Sequence, residues 1–364
     1  MITSILIFIS IFFQYLISYI NIILFKRRFT NIIVGVLCFC LYWFVFGGIT
    51  ETSDWSGYEF IFENDEFPID FTFRFLSSQT KLLGLNFIDL YQFHVFLTGA
   101  LLIFFISRFT SNIFFVTTFL ILILFIPLAN QIRFFLSLSL FINAIYFLCI
   151  KRNKSLFLFL ATLSVLTHIA IVPLLMFCKL YFIKKNEKYL KAVILISILS
   201  TILIAVLFSV SGVMQEISLR ENLDAYVQDE YATSFLGSLF QVVPILVFVI
   251  FIFTNKIYFI EKINHFKDEK LKFLYRLTIF SFLFIPASFF TQIILFRYCI
   301  SLSFVWILLI LLSTEYYKII KRVRKITILF VGLWLFVFYI YVFPIIILNS
   351  EEKINKVNLI FNSI

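Results

Sequence analysis

Long apolar runs alternate with short polar segments along the whole of this 364-residue chain. The runs are about 20 residues long, the length that an α-helix needs to cross roughly 30 Å of hydrocarbon. Lipid offers the backbone no hydrogen-bond partners, so a segment that crosses it must satisfy its own polar groups, and an apolar run does so as a helix. The pattern therefore predicts an all-α, polytopic integral membrane protein.

The runs predict about 12 transmembrane helices in a single membrane domain, 1–364, or 11 if one interrupted run is a single helix. That run, at 156–183, carries His168 near its middle and Pro173 soon after. This favours two short helices that meet at His168, because proline is best tolerated in a first helical turn. A helix pair is also predicted in 273–313, with its turn near Arg297. The other predicted spans lie at about 2–25, 30–49, 87–107, 112–129, 132–150, 192–212, 235–254 and 326–346.

The distribution of charge predicts the topology. The chain carries a net charge of +10, and its basic residues cluster between apolar runs, as at 26–28, 184–191 and 318–325. The positive-inside rule places such clusters in the cytoplasm. Two longer, mostly acidic loops, at about 50–86 and 213–234, then lie outside, and the first is a long periplasmic loop after the second span. Basic clusters spaced in this way indicate topology and argue against nucleic acid as a partner.

Composition excludes further classes of protein. Apolar residue types make up 62% of the chain and charged types only 14%, which excludes a soluble enzyme. All five cysteines lie within apolar runs, and none forms a C-x-x-C pair or a spaced Cys/His cluster. We therefore expect no disulfide framework, no metal site and no cofactor.

Four ionisable residues fall at the same external face in this topology: Arg133, His168, Arg297 and Asp54. Ionisable groups within membrane segments cost roughly 2.5–3.5 kcal/mol each at mid-bilayer, so they are candidates for function. Arginine offers a fork of donors that suits phosphate oxygens, and histidine serves readily as a base near neutral pH. Together they predict a site for an anionic lipid-linked substrate and a transfer reaction that uses no metal.

Each candidate also has a structural interpretation. The two arginines would snorkel to the membrane interface, His168 would cap a broken helix, and Asp54 would cap an interfacial helix. Trp55 and Tyr58, which follow Asp54, would belong to an aromatic belt and not to a sugar-binding surface. Arg276, near a cytoplasmic helix end, is expected to snorkel.

Five local patterns at these positions resemble one known family. They are Asp54-Trp55 with Tyr58 and Phe62, the stretch 68–87 with its Leu83-Gly84-Leu85-Asn86 turn, Asn130-x-x-Arg133 before Ser137 and Ser139, His168 between short helices and, more weakly, Arg297-Tyr298. In order and spacing, over about residues 50–300, they resemble the EpsG family of Wzy-type O-antigen and exopolysaccharide polymerases. The chain departs from the family pattern at Phe134, where a polar residue is usual, and at Ala170, where a small hydroxyl residue is usual.

The resemblance implies an enzyme of the bacterial inner membrane that joins undecaprenyl-diphosphate-linked repeat units at the periplasmic face, as in lipopolysaccharide O-antigen synthesis. The sugar of one unit would attack the anomeric carbon of another, and undecaprenyl diphosphate would leave. The implied catalytic residues are His168 and Asp54, either of which would be the base. The implied substrate-binding residues are Arg133, Arg297, Asn130, Trp55, Tyr58 and Tyr298. The implied partners are the lipid-linked oligosaccharide, membrane lipid, and a chain-length regulator and a flippase of the same pathway.

Two other functions stay open. A polyprenyl-phosphate-dependent glycosyltransferase would add one side sugar, but such enzymes usually carry an acidic pair early in the first external loop. Asp54 has no adjacent acidic partner, although Glu51 is close. A transporter of lipid-linked oligosaccharide would line a cavity with cations through the membrane depth, whereas the candidate charges here gather at one face.

Overall fold

The computed structural model describes residues 28–48, 54–64, 70–210, 235–255, 259–261, 263–264, 268–286 and 292–315. Within these ranges every regular element is a helix and no strand occurs, which confirms the predicted all-α class for the described part of the chain. The first and last predicted spans and the acidic loop at 213–234 lie outside the described residues.

Contacts between Cα atoms divide the chain into two compact units, with the boundary between Tyr181 and Phe182. The single membrane domain stays a prediction. The helices of the first unit are α1 (Arg28–Gly47), α2 (Trp55–Glu63), α3 (Phe71–Leu82), α4 (Phe87–Ser107), α5 (Ile113–Asn130), α6 (Ile132–Cys149), α7 (Lys154–Thr167), a 3-10 helix (Ile169–Leu175) and α8 (Met176–Tyr181). Those of the second unit are α9 (Asn186–Val210), α10 (Phe235–Thr254), α11 (Glu269–Ser281), a 3-10 turn (Phe282–Phe284), α12 (Gln292–Tyr298), another 3-10 turn (Ile300–Leu302) and α13 (Ser303–Glu315).

Several helices coincide with predicted spans. Helix α4 occupies the predicted span 87–107, and α6 matches the span predicted at 132–150 within one residue. Among the described helices, these two are long and apolar enough to cross a membrane. Shorter apolar helices accompany them in both units. The count of about 12 spans stays a prediction.

The interruption predicted at His168 is present. Helix α7 ends at Thr167, His168 has extended backbone angles (φ −161°, ψ 117°), and the 3-10 helix that contains Pro173 follows. Pro173 cannot donate a backbone hydrogen bond, which suits it to such an irregular segment. The chain thus presents His168 at a break between two helical segments, while the side of the membrane that each segment reaches stays a prediction.

The segment predicted as the first external loop contains two helices, α2 and α3. After α3 the chain turns at Gly84, whose positive φ of 71° suits glycine because it has no Cβ. Asn86 and Asp89 then form a reciprocal capping box at the start of α4, with hydrogen bonds of 3.2 and 2.9 Å. This turn holds α3 against the first part of α4.

The second unit corrects one sequence-based expectation, because Arg276 on α11 is fully buried and does not snorkel. Its Nε and Nη2 atoms donate to Asn186 Oδ1 at 3.2 and 2.7 Å, and Nη2 also donates to the Lys184 carbonyl at 3.4 Å. Its guanidinium lies 4.9 Å from the ring of Tyr189, whose hydroxyl donates to the Arg276 carbonyl at 2.6 Å. A buried charge must be hydrogen-bonded, and these contacts join α11 to the start of α9.

We predict that Asn186→Ala destabilises the second unit. The change removes the side-chain acceptor of a buried guanidinium, and hydrogen bonds to charged groups contribute about 1.5–3 kcal/mol. The apparent unfolding midpoint of the detergent-solubilised chain, followed by circular dichroism, should fall. Lys188→Ala, an exposed change on the same helix, should leave the midpoint in place. Equal midpoints for the two variants would contradict the inferred role of Asn186.

Candidate active site

A single carboxylate oxygen joins two of the predicted site residues in the first unit. Oδ2 of Asp70 accepts a hydrogen bond from Arg133 Nη1 at 2.7 Å and lies 2.9 Å from His168 Nδ1. The Asp70 side chain is 5% exposed, whereas those of Arg133 and His168 are 17% and 15% exposed. The carboxylate is therefore enclosed, and the cation and the imidazole retain part of their surface.

Asp70 immediately precedes α3, in the position where aspartate commonly caps a helix. Its backbone is extended (φ −72°, ψ 103°), but its side chain accepts no capping hydrogen bond from α3. The carboxylate instead receives the side chains of Arg133 and His168 and the backbone N–H of Ile169. Tertiary contacts have thus taken the place of the local cap.

Arg133 is the second residue of α6, where the helix macrodipole disfavours a cation. The anionic Asp70 compensates this placement, and two rings complete the surroundings. The Arg133 guanidinium lies 4.9 Å from the ring centre of Tyr58 and 5.4 Å from that of Phe73, within the range of cation–π attraction. Its buried Nε atom has no hydrogen-bond partner, so Asp70 does not use all of its donors.

Close packing of α6 against α7 sets the separation of Arg133 and His168. Ser137 Oγ donates to the Ser164 carbonyl at 2.7 Å, and Ser164 Oγ donates to the Ser137 carbonyl at 2.8 Å. Such small residues let two helices approach closely. Ser137 lies one turn after Arg133 and Ser164 one turn before His168, so this exchange fixes both site residues relative to each other.

A further hydrogen bond joins α7 to α3. Thr167 Oγ1, next to His168, donates to Thr72 Oγ1 at 3.1 Å, and Thr72 lies two residues after Asp70. The pair aligns the end of α7 with the start of α3. The three side chains of the site therefore come from three separate helix ends, each held by a polar contact.

The environment of Asp70 favours its ionised form. Burial by itself raises the pKa of Asp70, but the hydrogen bond and charge of His168, the charge of Arg133 and the Ile169 N–H together hold that pKa below its usual value. An ionised carboxylate only accepts hydrogen bonds, so Nδ1 of His168 is the donor of this pair. In the neutral imidazole, Nε2 is then the basic nitrogen.

The structure gives each predicted residue near Asp54 a definite place. Tyr58 lies beside Arg133, and its role in substrate binding stays a prediction. Trp55 is buried, and its ring packs 4.9 Å from Phe87 and 4.8 Å from Tyr91, between centroids. Asp54 occupies the N-cap position of α2, but its side chain makes no capping hydrogen bond there. The catalytic role of Asp54 and the sugar-binding role of Trp55 stay predictions.

The structure also gives the positions of three further predicted residues. Asn130 is the last residue of α5, three residues before Arg133. Arg297 lies in the last turn of α12 in the second unit, and its carbonyl accepts a hydrogen bond from Ser301. Tyr298 ends the same helix, with its ring 4.8 Å from that of Phe284. Their roles in substrate binding stay predictions.

Sequence reasoning missed Asp70 as a site residue. The first external segment contains seven acidic residues, and no spacing in the sequence distinguishes Asp70 from the other six. Its partners Arg133 and His168 are 63 and 98 residues away along the chain. The one available signal was its position directly before an amphipathic helix, which places its backbone but not its side chain.

Comparison with known proteins bears on the whole chain. The model of the EpsG family matches residues 32–356. The chain belongs to the EpsG family. No curated protein and no solved structure matches it. Membership of the EpsG family indicates the function of a Wzy-like polysaccharide polymerase or glycosyltransferase. The family and the apolar helices together indicate a membrane protein.

The site of this EpsG family member contains side chains for acid–base and anion chemistry. Within the described ranges, no group of three or more His, Cys, Asp or Glu residues could hold a metal ion. Asp70, Arg133 and His168 present an anion, a permanent cation and an imidazole within one hydrogen-bonded group. The arrangement can bind an anionic group and transfer a proton.

We predict that Asp70 makes the protein sensitive to acid. A carboxyl group whose pKa is lower in the folded state than in the unfolded state stabilises the folded state at pH values above its unfolded pKa. This contribution is lost as the pH falls through the folded pKa. The wild type should therefore lose stability as the pH falls below about 4. Asp70→Asn should be less stable at neutral pH and should lose less over the same acid range.

The measurement is the apparent unfolding midpoint of the detergent-solubilised chain at a series of pH values. Glu63→Gln, which changes an exposed carboxylate on α2, serves as the control and should follow the wild type. An Asp70→Asn curve parallel to that of the wild type would show that the carboxylate does not contribute through its charge.

Proposed function

We propose that this protein polymerises undecaprenyl-diphosphate-linked oligosaccharide repeat units at the periplasmic face of a bacterial inner membrane. The hydroxyl of the non-reducing-end sugar of one unit attacks the anomeric carbon of the growing chain on another. The bond from that carbon to the diphosphate oxygen breaks, and undecaprenyl diphosphate leaves. The observation that carries the proposal is the contact of one carboxylate, Asp70, with both Arg133 and His168.

In this proposal Arg133 binds the diphosphate and stabilises the charge that develops as the glycosidic bond breaks. Guanidinium groups form strong, charge-assisted hydrogen bonds with phosphate oxygens. Two observations support this role of Arg133. Its side chain is partly exposed, and in the contacts described Asp70 accepts from only one of the two terminal nitrogens of Arg133. Preorganised donors of this type stabilise a transition state because they need no rearrangement as the charge develops. Arg297 is proposed as a second diphosphate ligand.

His168 is the proposed general base. The ionised Asp70 holds the Nδ1–H tautomer and stabilises the imidazolium that forms when Nε2 takes the proton of the acceptor hydroxyl. Asp70 is thus a positioning residue in this proposal, and Asp54 stays the alternative base. Tyr58, which lies against Arg133, offers a ring face to a sugar.

The proposed partners follow from this chemistry. The substrate is a lipid-linked oligosaccharide that diffuses in the membrane, so a flippase must deliver it to the outer leaflet. A chain-length regulator is proposed as a second partner. The multi-pass topology with about 12 spans belongs to the same proposal.

The decisive experiment is the polysaccharide ladder of a host that lacks this gene, complemented with the wild type or with single variants. The wild type should restore the ladder, whereas Arg133→Ala and His168→Ala should leave single repeat units on the lipid carrier. General bases contribute about 10²–10⁴-fold to a rate, which is enough to abolish long chains. An immunoblot of the membranes measures the level of each variant, and ladders are compared at equal protein level.

Matched variants separate the chemistry from folding. Arg108→Ala, at the far end of α4, should retain the ladder. Asp70→Asn should lose it and Asp70→Glu should restore part of it, because only the latter keeps an anion beside His168. A normal ladder from His168→Ala would remove the proposed base. A deletion host that keeps its ladder but lacks one sugar in each repeat would replace polymerisation with side-branch glycosyl transfer.

A further inference from the structure

Helix α3 has its polar and apolar faces inverted relative to a helix of a water-soluble protein. On its inner face Ser77 is fully buried and Thr80 is 9% exposed, next to the fully buried Phe73. On its outer face Phe71 is 57% exposed and Phe75 is 51% exposed. In water the apolar face would be expected to turn inward, because burial of apolar surface is favourable.

The outer apolar residues form a stripe along one side of the helix, with the partly exposed Ser78 between Phe75 and Leu82. Phe71, Phe75 and Leu82 are spaced by four and seven residues, which places them along one side of an α-helix. The rings of Phe71 and Phe75 are stacked, with centroids 6.4 Å apart and planes 13° apart. Leu82 is 78% exposed, and the exposed Leu83 extends the stripe into the turn before α4.

Exposed apolar side chains also occur on a neighbouring helix that is long enough to cross a membrane. Helix α3 packs against α4. On α4 the side chains of Ile88, Phe93 and Phe96 are exposed. Exposed apolar surface marks a site of contact with another apolar phase. The packing of α3 against a span-length helix favours lipid as that phase over a protein partner confined to α3.

Polar residues border the stripe on both sides of the helix. Arg74 and Gln79 are exposed at its two edges. An apolar stripe bordered by polar residues is typical of helices that lie in the plane of the membrane interface, with the apolar face about 5–10 Å into the boundary between headgroups and acyl chains. The hydroxyl groups of Ser77 and Thr80 are then directed away from lipid, into the protein.

We propose that α3 is an interfacial helix whose Phe71–Phe75–Leu82 stripe lies against phospholipid acyl chains. Asp70 directly precedes this helix, so the helix places the Asp70–Arg133–His168 group at the depth of the lipid phosphates. A substrate diphosphate attached to a membrane-embedded polyprenyl chain lies at the same depth. This last step rests on the proposed function, whereas the lipid contact of α3 does not.

Photocrosslinking in the intact chain tests the lipid contact. p-Benzoylphenylalanine in place of Phe75 keeps an aromatic ring at that position, and in place of Gln79 it probes the polar border of the same helix. Both proteins are reconstituted in vesicles of phosphatidylethanolamine and phosphatidylglycerol and irradiated. Mass spectrometry should then find severalfold more phospholipid adduct at position 75 than at position 79, with the crosslink in the acyl chains.

Each other outcome overturns the proposal in a distinct way. A covalent dimer at position 75 would mean that a second copy of the chain covers the stripe. Equal or negligible phospholipid adduct at the two positions would mean that the stripe faces solvent. The same probe in place of Phe71 repeats the test if the change at position 75 prevents insertion. Crosslinking requires no turnover, so its result is independent of the proposed function: lipid adduct at position 75, together with failure of the wild type to restore the ladder, would support the interfacial helix and reject the polymerase.

Discussion

The first unit depends on the ionised carboxylate of Asp70. This group is enclosed by protein and is compensated by a guanidinium, an imidazole N–H and a backbone N–H. A buried charge is tolerated only when it is paired and hydrogen-bonded, so the positions of α3, α6 and the break after α7 must agree with one another. The carboxylate is therefore both a structural link among three helix ends and the electrostatic centre of the candidate site.

The surrounding packing explains how these helix ends meet. The exchange of hydrogen bonds between Ser137 and Ser164 brings α6 and α7 together without bulky side chains between them. Thr167 and Thr72 then align α7 with α3. These neutral contacts place the backbone of the site, and the Asp70 charge then orients the side chains of Arg133 and His168. Those two side chains are partly exposed, whereas the carboxylate behind them is enclosed.

The proposed contact with lipid accounts for the exposed apolar face of α3. In water, the exposed phenylalanines of α3 and its buried hydroxyl groups would both oppose folding. Against lipid, the exposed phenylalanines of α3 would be in favourable surroundings. The proposed site and the proposed interfacial helix share the residue pair Asp70-Phe71, so the two proposals meet at one point of the chain.

The sequence by itself determined the helical class, the family and the bounds of strong apolar elements such as α4 and α6, because long apolar runs have one stable backbone form in lipid. It also named Arg133 and His168 as candidates, since ionisable groups in apolar runs are costly. Only the tertiary structure decided that Asp70 is their partner and that Arg276 is buried. Both outcomes depend on side-chain contacts between residues 63 to 98 positions apart. Helical periodicity describes neighbours within a turn and carries no information about such distant pairs.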